Sequence, residues 1–231
     1  MRAAPRPPQD LLVAPAGLAL LLWWEASGWD LALSRVYGSP QGFVLREHWL
    51  LRGVLHDGGR LLAGAALAAT LAWAALGDAV AMARRMRWAW TATVVLCLLA
   101  VPTLKRLSST SCPWDLEEFG GLASYVPHWM LMRVDGGPGQ CFPSGHAVAA
   151  FAFVPLYFQW RRARPRRAAL LLLASVALGV LFGWTQLARG AHFASHSLWT
   201  AWLCWVIGAA AARVLEAEAQ PTRVPASRPA A

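Results

Sequence analysis

Charged side chains are scarce in this sequence, and acidic ones are scarcer than basic ones. Only 14% of the 231 residues are charged, whereas 57% are hydrophobic, and 12 acidic residues stand against 21 basic ones. So low a charge content excludes an ordinary soluble domain, and the chain is long enough for several membrane spans. The sequence therefore predicts an integral membrane protein.

The formal net charge of +9 would suggest a nucleic-acid partner if the protein were soluble. Here the arginines cluster at the ends of apolar runs, where orientation in a membrane explains them better. Several of the 14 tryptophans lie near the same ends, as is typical of an interfacial aromatic belt. We therefore expect no nucleic-acid partner.

The apolar runs are long, and they are separated by polar or basic segments. They predict an all-α integral membrane bundle of about six transmembrane helices in a single domain, 1–215, with a disordered cytoplasmic tail at 216–231. No internal repeat is visible. The expected spans are Leu11 to about Trp29, Leu61 to Ala83, Trp88 to Leu104, Ser144 to Trp160, Ala168 to Leu187 and Phe193 to Val214.

The first apolar run has two interpretations. It follows Arg2 and Arg6 and is interrupted by Glu25, a pattern that a signal peptide could also show. No convincing small-residue cleavage site precedes the polar segment 30–60, which favours an uncleaved first span. We therefore count this run as a membrane helix.

Basic residues fall on alternate connections between the expected spans. Six spans place the N-terminal arginines, the runs at 84–87 and 161–167 and the tail arginines on one face, which the positive-inside rule makes cytoplasmic. The segment 30–60, the loop 105–142 and the turn at 188–192 then lie outside. The sequence predicts a multi-pass protein of a bacterial inner membrane with cytoplasmic termini and a periplasmic active site.

The stretch Cys141-Phe142-Pro143-Ser144-Gly145-His146-Ala147 combines a hydroxyl, a glycine and an imidazole at the start of an apolar helix. Ser144 is a natural N-cap, and Gly145 allows a ligand to approach the backbone. Unpaired amide groups and the positive dipole end of a helix favour an anion such as phosphate, and His146 can transfer a proton near neutral pH. The alternative is a capped membrane helix that carries a chance histidine.

Further candidates lie on the same expected side of the membrane. Lys105 ends the third span and could neutralise phosphoryl oxygens, although an isolated lysine there would more often anchor the helix by snorkelling. Arg189 offers a planar fork suited to phosphate oxygens, with an ordinary membrane-edge arginine as the alternative.

His192 and His196 are four residues apart and share one helix face. They could be a nucleophile and the partner that orients it, because an attacking imidazole nitrogen is best poised when the other ring nitrogen is held by a hydrogen bond. They could also bind a metal together with His146. A third possibility is a pair of interfacial histidines that simply face water.

Lys105 followed after six residues by Cys112-Pro113, then Pro143-Ser144-Gly145-His146, then His192 resembles the three-part signature of the type 2 phosphatidic acid phosphatase superfamily. The resemblance implies a membrane phosphatase acting on a lipid phosphate without a metal or other cofactor. It implies that His192 is the nucleophile, forming a phosphohistidine, and that His146 protonates the leaving group. Lys105, Ser144 and the Gly145 amide would hold the phosphate.

Three positions depart from the pattern of that superfamily. Cys112 and Gln186 stand where the family usually has arginine, and His196 stands where it usually has aspartate. Arg189, one turn after Gln186, could replace a lost guanidinium. A neutral His196 can accept a hydrogen bond from His192 but supplies no negative charge. The sequence offers four candidates for a substitute carboxylate, which are Asp57, Asp115, Glu117 and Glu118.

The sequence contains four cysteines, which fall into two groups. Cys97 and Cys204 lie inside expected spans and are interpreted as packing residues. Cys112 and Cys141 both fall in the outer loop beside the first two motifs, and we hypothesise that they form a disulfide in an oxidising periplasm, with two free thiols as the alternative.

Three other functions remain open from the sequence. A phosphotransferase would use the same phosphohistidine with a different acceptor. A metal-binding membrane protein would use His146, His192 and His196, and a non-catalytic membrane protein would retain only the scaffold.

Overall fold

A computed structural model describes residues 10–78, 80, 82–130 and 133–218. It confirms the predicted all-α membrane bundle, because long apolar helices dominate and the sheet is limited to one short hairpin among these residues. The helices are α1 (Asp10–Ser27), α2 (Trp29–Tyr37), α3 (Gly58–Leu76), α4 (Arg84–Leu107), α5 (Val148–Phe151), α6 (Pro155–Trp160), α7 (Pro165–Ala188) and α8 (Ala194–Glu218), and the hairpin pairs β1 (Gly38–Ser39) with β2 (Gly42–Phe43).

Four helical segments are long and apolar enough to cross a bilayer by themselves, and two shorter apolar helices accompany them. Many leucines and valines on their outer faces are exposed, for example Leu61, Leu99 and Leu170. Exposed apolar surface of this extent suits contact with lipid rather than with water. That all six segments cross the bilayer stays a prediction. The long segments are Leu50–Leu76, Arg84–Leu107, Pro165–Ala188 and Ala194–Ala217, and the shorter ones are Leu12–Ser27 and Val148–Trp160.

The second and fourth expected spans differ most from the helices of the structure. The second was expected at Leu61 to Ala83, but its helix begins with a π-helical segment, Leu50–Asp57, and ends at Leu76. Part of the segment predicted as a polar loop is therefore helical. The fourth was expected to be continuous from Ser144, but turns at 145–147 and 152–154 divide it into α5 and α6.

Both ends of the chain also bear on the domain prediction. Helix α8 continues to Glu218, beyond the expected end of the last span at Val214. Residues 219–231, on which most of the predicted tail falls, lie outside the described residues, as do Arg2 and Arg6.

Helix α8 lies at the centre of the bundle, because it packs against α1, α4, α5, α6 and α7. The main core lies between α4, α5, α6 and α8 and includes Val101, Phe151, Phe158 and Cys204. A second, smaller core lies beyond the helix ends, where Phe43 of the hairpin packs with residues of the long loop and the start of α8. This smaller core fixes the loop against the helix that carries His196.

The two ends of the bundle differ in charge. At one end Arg161 and Arg162 pair with Glu216, and Gln159 contacts Met82, so the basic connections at 84–87 and 161–167 lie together. The opposite end carries α2, the hairpin and the long loop. The predicted site residues therefore lie at the end away from the densest positive charge.

Candidate functional site

The loop between α4 and α5 is held in place by covalent and polar links. A disulfide joins Cys112 to Cys141, with an S–S distance of 2.03 Å. The buried carboxylate of Asp135 accepts hydrogen bonds from the backbone N–H of Ser111 at 2.6 Å and from its hydroxyl at 2.9 Å. Both links connect the residues that follow α4 to those that precede Ser144. The first two motifs are thereby held side by side.

Ser144, Gly145 and His146 form a tight turn that leads into α5. The Ser144 hydroxyl oxygen accepts a hydrogen bond from the N–H of Ala147 at 3.3 Å, so it acts as a cap although regular helix begins only at Val148. The amides of Gly145 and His146 precede the first helical hydrogen bonds and belong to the donors that a helix N-terminus leaves unpaired. Such a turn is suited to bind an anion.

The turn is also bonded directly to α8. The Ser144 N–H donates to the carbonyl of His196 at 3.0 Å, and the hydroxyl of Thr200 donates to the carbonyl of Ser144 at 3.0 Å. All three residues are buried. The second and third motifs are therefore fixed relative to each other by the backbone.

Lys105, in the last turn of α4, reaches the same turn. A methyl group placed on Gly145 would lie 3.3 Å from Lys105 Cδ and 4.0 Å from Nζ. The absence of a side chain at Gly145 thus leaves room for the lysine stem along the backbone. The structure brings the predicted cation and the predicted amide donors together.

His192 precedes α8, and His196 lies in its first turn. Their Nδ1 atoms are 3.4 Å apart, and both side chains are buried. The sulfur of Cys141 lies 3.5 Å from His192 Nδ1. Burial and the nearby Lys105 ammonium lower the pKa of His192 well below its usual range, so its imidazole is neutral at pH 7. A neutral imidazole is the form required of a nucleophile.

His146 lies in the turn before α5, and its ring is between two other aromatic rings. It stacks on His56 with ring centroids 4.5 Å apart and contacts Phe182 at 5.0 Å. Burial, followed by the charge of His56, lowers the pKa of His146 to about 4. His56 was not among the predicted site residues, since nothing in the local sequence pattern distinguishes it from a surface histidine of the polar segment. The stacking brings a second titratable ring to the site.

Arg189 is buried beside Gln186 and bonded to two elements. Its Nε donates to the carbonyl of Arg46 at 2.8 Å, and its Nη1 donates to the Gln186 side-chain oxygen at 3.4 Å. The guanidinium thus lies next to the side chain at which the superfamily pattern has arginine.

The four carboxylates considered as substitutes for the missing aspartate have other surroundings. Asp57 pairs with His56 at 2.8 Å, and Glu118 pairs with Arg35 at 2.5 Å. Asp115 accepts a hydrogen bond from the Cys112 N–H at 3.2 Å, and Glu117 is exposed. The structure therefore does not bring these carboxylates to the histidine pair.

A different carboxylate lies close to the histidines. Glu25, in α1, has its Oε1 3.2 Å from Nε2 of His128, and the His128 ring lies edge-on to His196 with centroids 5.6 Å apart. Neither Glu25 nor His128 was predicted as a site residue. Glu25 did carry a signal, because an acidic residue within an apolar run is costly and usually has a role. His128 carried no comparable signal.

The histidines predicted as alternative metal ligands do not form a compact ligand set. Among the described residues, one group has three potential ligand atoms within 4.8 Å of one another, and it consists of Cys112, Cys141 and His192. Both cysteines of that group are joined in the disulfide, and a metal ligand would need a free thiolate. The donors present therefore do not fit a thiolate metal site.

No curated protein and no solved structure matches the chain. The sequence pattern of the PAP2 superfamily matches residues 86–219, more than half of the chain, and this segment runs from α4 through α8 and includes every predicted site residue from Lys105 to His196. The chain therefore belongs to the PAP2 superfamily, whose members are generally phosphatases.

Proposed function

We propose that this protein is a membrane lipid phosphatase that hydrolyses a phosphate monoester or pyrophosphate through a phosphohistidine at His192. The observation that supports this most directly is the convergence of a cation, a helix-start turn and a pair of buried histidines at one place. The Lys105 side chain lies beside Gly145, and the backbone N–H of Ser144 is hydrogen-bonded to the carbonyl of His196, whose ring contacts His192.

The charge distribution suits phosphoryl transfer. That reaction depends mainly on positioning and on positive charge around the equatorial oxygens. Lys105 supplies a point charge, Arg189 a planar fork, and the turn at Gly145 supplies backbone donors. These groups come from α4, from the end of α7 and from the start of α5, so they approach a bound phosphate from different sides.

A lipid substrate is supported by an apolar cavity of about 350 Å³ between α3, α5, α6 and α7. Its lining includes Ala66, Trp73 and Leu178, and it reaches Phe182, whose ring contacts His146. The lining of α7 runs from Arg167 to Phe182, which corresponds to roughly 22 Å at about 1.5 Å per residue. A chain held there would place its phosphate end beside His146.

The proposed reaction proceeds in two displacement steps. Nε2 of His192 attacks phosphorus, the bond from phosphorus to the lipid oxygen breaks, and His146 protonates that oxygen. A water molecule then gives a proton to His146 and attacks phosphorus, and the phosphorus–nitrogen bond breaks to release phosphate. His146 has a pKa of about 4 without substrate, and a bound phosphate dianion raises this pKa so that the proton is available.

The location of the site supports a periplasmic face in a bacterial inner membrane. The site lies at the end of the bundle opposite the basic connections, which the positive-inside rule assigns to the cytoplasm. The disulfide between Cys112 and Cys141 lies at the site end, and disulfides persist in oxidising compartments such as the periplasm. Both observations favour the same orientation.

The test is phosphate release by purified protein in detergent with EDTA present. The substrates are phosphatidic acid, phosphatidylglycerol phosphate, an isoprenyl pyrophosphate and lipid A. We expect release from at least one of them, and loss of about 10³-fold or more in His192→Ala because the nucleophile is absent. His48→Ala is the matched control, since His48 is an exposed histidine at the same end of the molecule, and it should retain wild-type activity.

Two outcomes would contradict the proposal. Equal release by wild type and His192→Ala would exclude the phosphohistidine route. Absence of release from every lipid, together with transfer of phosphate to an added lipid or sugar acceptor, would identify a phosphotransferase instead.

A further inference from the structure

His196 stands where the superfamily pattern has an aspartate, so a negative charge that stabilises a cationic His192 has to come from another group. For Nε2 of His192 to attack, its Nδ1 must carry the proton, which the backbone carbonyl of Cys141 or Nδ1 of His196, 3.4 Å away, can accept. When His196 accepts it, His196 carries its own proton on Nε2. Within the described part of the chain, that Nε2 is buried and has no hydrogen-bond partner. A buried donor without a partner is costly and marks a place where chemistry can occur.

The ring beyond His196 is His128, from the long loop. It stacks on Phe142 at 3.8 Å with an interplanar angle of 10°, and it stands nearly perpendicular to the His196 ring at 84°. Burial lowers the pKa of His128 to about 4, so the ring is neutral at pH 7. A neutral imidazole both donates and accepts one hydrogen bond, so it can connect two polar groups.

Glu25 lies on the far side of His128. Its Oε1 is 3.2 Å from His128 Nε2, close enough for charge attraction although the two atoms do not form a hydrogen bond, and it accepts a hydrogen bond from Trp199 Nε1 at 2.9 Å. The side chains of Glu25 and His128 are only 8% and 5% exposed. Burying a carboxylate beside a histidine costs free energy that one hydrogen bond from an indole does not recover. The arrangement is therefore unfavourable for stability alone.

The members of this series come from three separate elements. Glu25 lies in α1, His128 in the loop between α4 and α5, and His192 and His196 at the start of α8. Their alignment is thus a product of the tertiary fold and not of local sequence spacing. It ends at the atom opposite the attacking nitrogen.

We propose that Glu25 acts through His128 and His196 as the anionic end of a relay that stabilises the positive charge formed on His192. The relay is defined as Glu25, His128, His196 and His192. In this chain it replaces a carboxylate in direct contact with the nucleophile. The inference rests on the proposed phosphohistidine route, and Glu25, His128 and His196 are positioning residues for it.

When Nε2 of His192 bonds to phosphorus, the electron pair of the broken P–O bond leaves with the lipid oxygen, and the His192 ring becomes cationic. Its Nδ1 proton is shared with or passes to Nδ1 of His196, whose Nε2–H then carries the positive charge toward His128 and the carboxylate. No proton leaves the relay, and the charge disappears when water cleaves the phosphorus–nitrogen bond.

The test compares Glu25→Gln in two backgrounds. Glutamine keeps an oxygen that can accept the Trp199 N–H but has no charge. In the wild-type background we expect kcat to fall about 10- to 100-fold with little change in KM, which is the usual cost of losing a residue that supports a catalytic group. The second background is His196→Asp. An aspartate oxygen occupies the same branch of the side chain as histidine Nδ1, so the charge then contacts His192 directly.

In the His196→Asp background we expect Glu25→Gln to change kcat by less than about threefold, because the relay is no longer needed. Equal losses in both backgrounds would show a purely structural role and overturn the proposal. Unchanged kcat in Glu25→Gln alone would overturn it as well. If the wild type releases no phosphate from any lipid, the failure belongs to the proposed function and not to the relay.

Asp30→Asn provides a matched control for the loss of a buried carboxylate. Asp30 accepts hydrogen bonds from the N–H of Ser195 at 3.0 Å and from its hydroxyl at 2.5 Å, so it anchors the start of α8 without contacting the histidines of the relay. Its substitution should lower the melting temperature and should cost the same factor in activity in both backgrounds. A background-dependent cost for Asp30→Asn would overturn the specific assignment of Glu25.

Discussion

Replacing Cys112 and Cys141 by serine should destabilise the long loop and the site together. The disulfide joins positions 29 residues apart and spans most of the loop between α4 and α5. Without it, the loop can separate from α4. The sulfur of Cys141 also lies 3.5 Å from His192 Nδ1, so the same change disturbs the histidine pair.

The expected loss of stability follows from the entropy of loop closure. For a loop of this length the chain-entropy relation gives roughly 12 cal/mol/K, or about 3.6 kcal/mol at 25 °C. A protein of this size loses about 2–4 °C in Tm per kcal/mol, so the expected fall is about 7–14 °C. Loss of phosphate release should follow the same variant, because His192 is then less firmly held.

Intrinsic fluorescence melts in detergent measure this effect well, since the chain contains 14 tryptophans. The comparison is between wild type, Cys112→Ser/Cys141→Ser and Cys97→Ala/Cys204→Ala, each with and without dithiothreitol. Cys97 and Cys204 are free and buried, so their double variant controls for loss of cysteine as such. Dithiothreitol should lower Tm in wild type and in the control pair but not in the serine variant.

The reasoning would be refuted if the reductant left the wild-type Tm unchanged, or if it lowered the Tm of the serine variant by the same amount. Titration of thiols in unreduced, denatured wild type should find two free groups. Four free thiols would show that the cysteines are not joined.

Further predictions concern packing, the cation and pH. Gly179→Ala places a methyl group 2.4 Å from the ring of Phe151 in α5 and should lower the free energy of unfolding by about 1–3 kcal/mol. Gly64→Ala meets no atom within 4 Å and should raise that free energy by up to about 1 kcal/mol. Equal melting curves for the two variants would contradict this prediction. Lys105 is the only lysine of the chain, so acylation of its amine should abolish phosphate release. Inorganic phosphate should protect Lys105 from acylation. Undiminished activity of protein acylated at Lys105 would argue against a role for its charge. Burial lowers the pKa of His146 from 6.5 to about 4, so the unfolded chain binds more protons than the folded one between pH 6.5 and 4. Tm should therefore fall as the pH falls from 6.5 to 4. A constant Tm over this range would contradict the lowered pKa of His146.

The residues proposed for the phosphate site could be selected from the sequence because each carries a chemical signal. A lysine at the end of an apolar run, a serine and glycine before a helix and two histidines four apart are local patterns, and the structure brings Lys105, Ser144, Gly145, His192 and His196 together. Apolar length likewise indicated the membrane helices.

The structural features that were missed depend on contacts between distant segments. The pairing of Glu25 with His128 joins residues more than 100 positions apart, and no sequence pattern within either segment predicts it. The stacking of His56 on His146 depends on the π-helical turn Leu50–Asp57, which hydropathy does not distinguish from a loop. Three of the four proposed carboxylates, Asp115, Glu117 and Glu118, follow the first motif closely in sequence, but nearness in sequence does not bring them to the histidine pair. Asp57 pairs with His56, Asp115 with the N–H of Cys112 and Glu118 with Arg35.

The central position of α8 has a consequence for biosynthesis. This helix follows all the other described helices in chain order, yet α1, α4, α5, α6 and α7 all pack against it. During synthesis those helices therefore enter the membrane before α8, the helix against which they pack. His192, which immediately precedes α8, reaches its place only when that last insertion occurs. Under the proposed phosphohistidine route, a chain that has not yet inserted α8 lacks His192 at the site, so phosphate release would depend on the insertion of this helix.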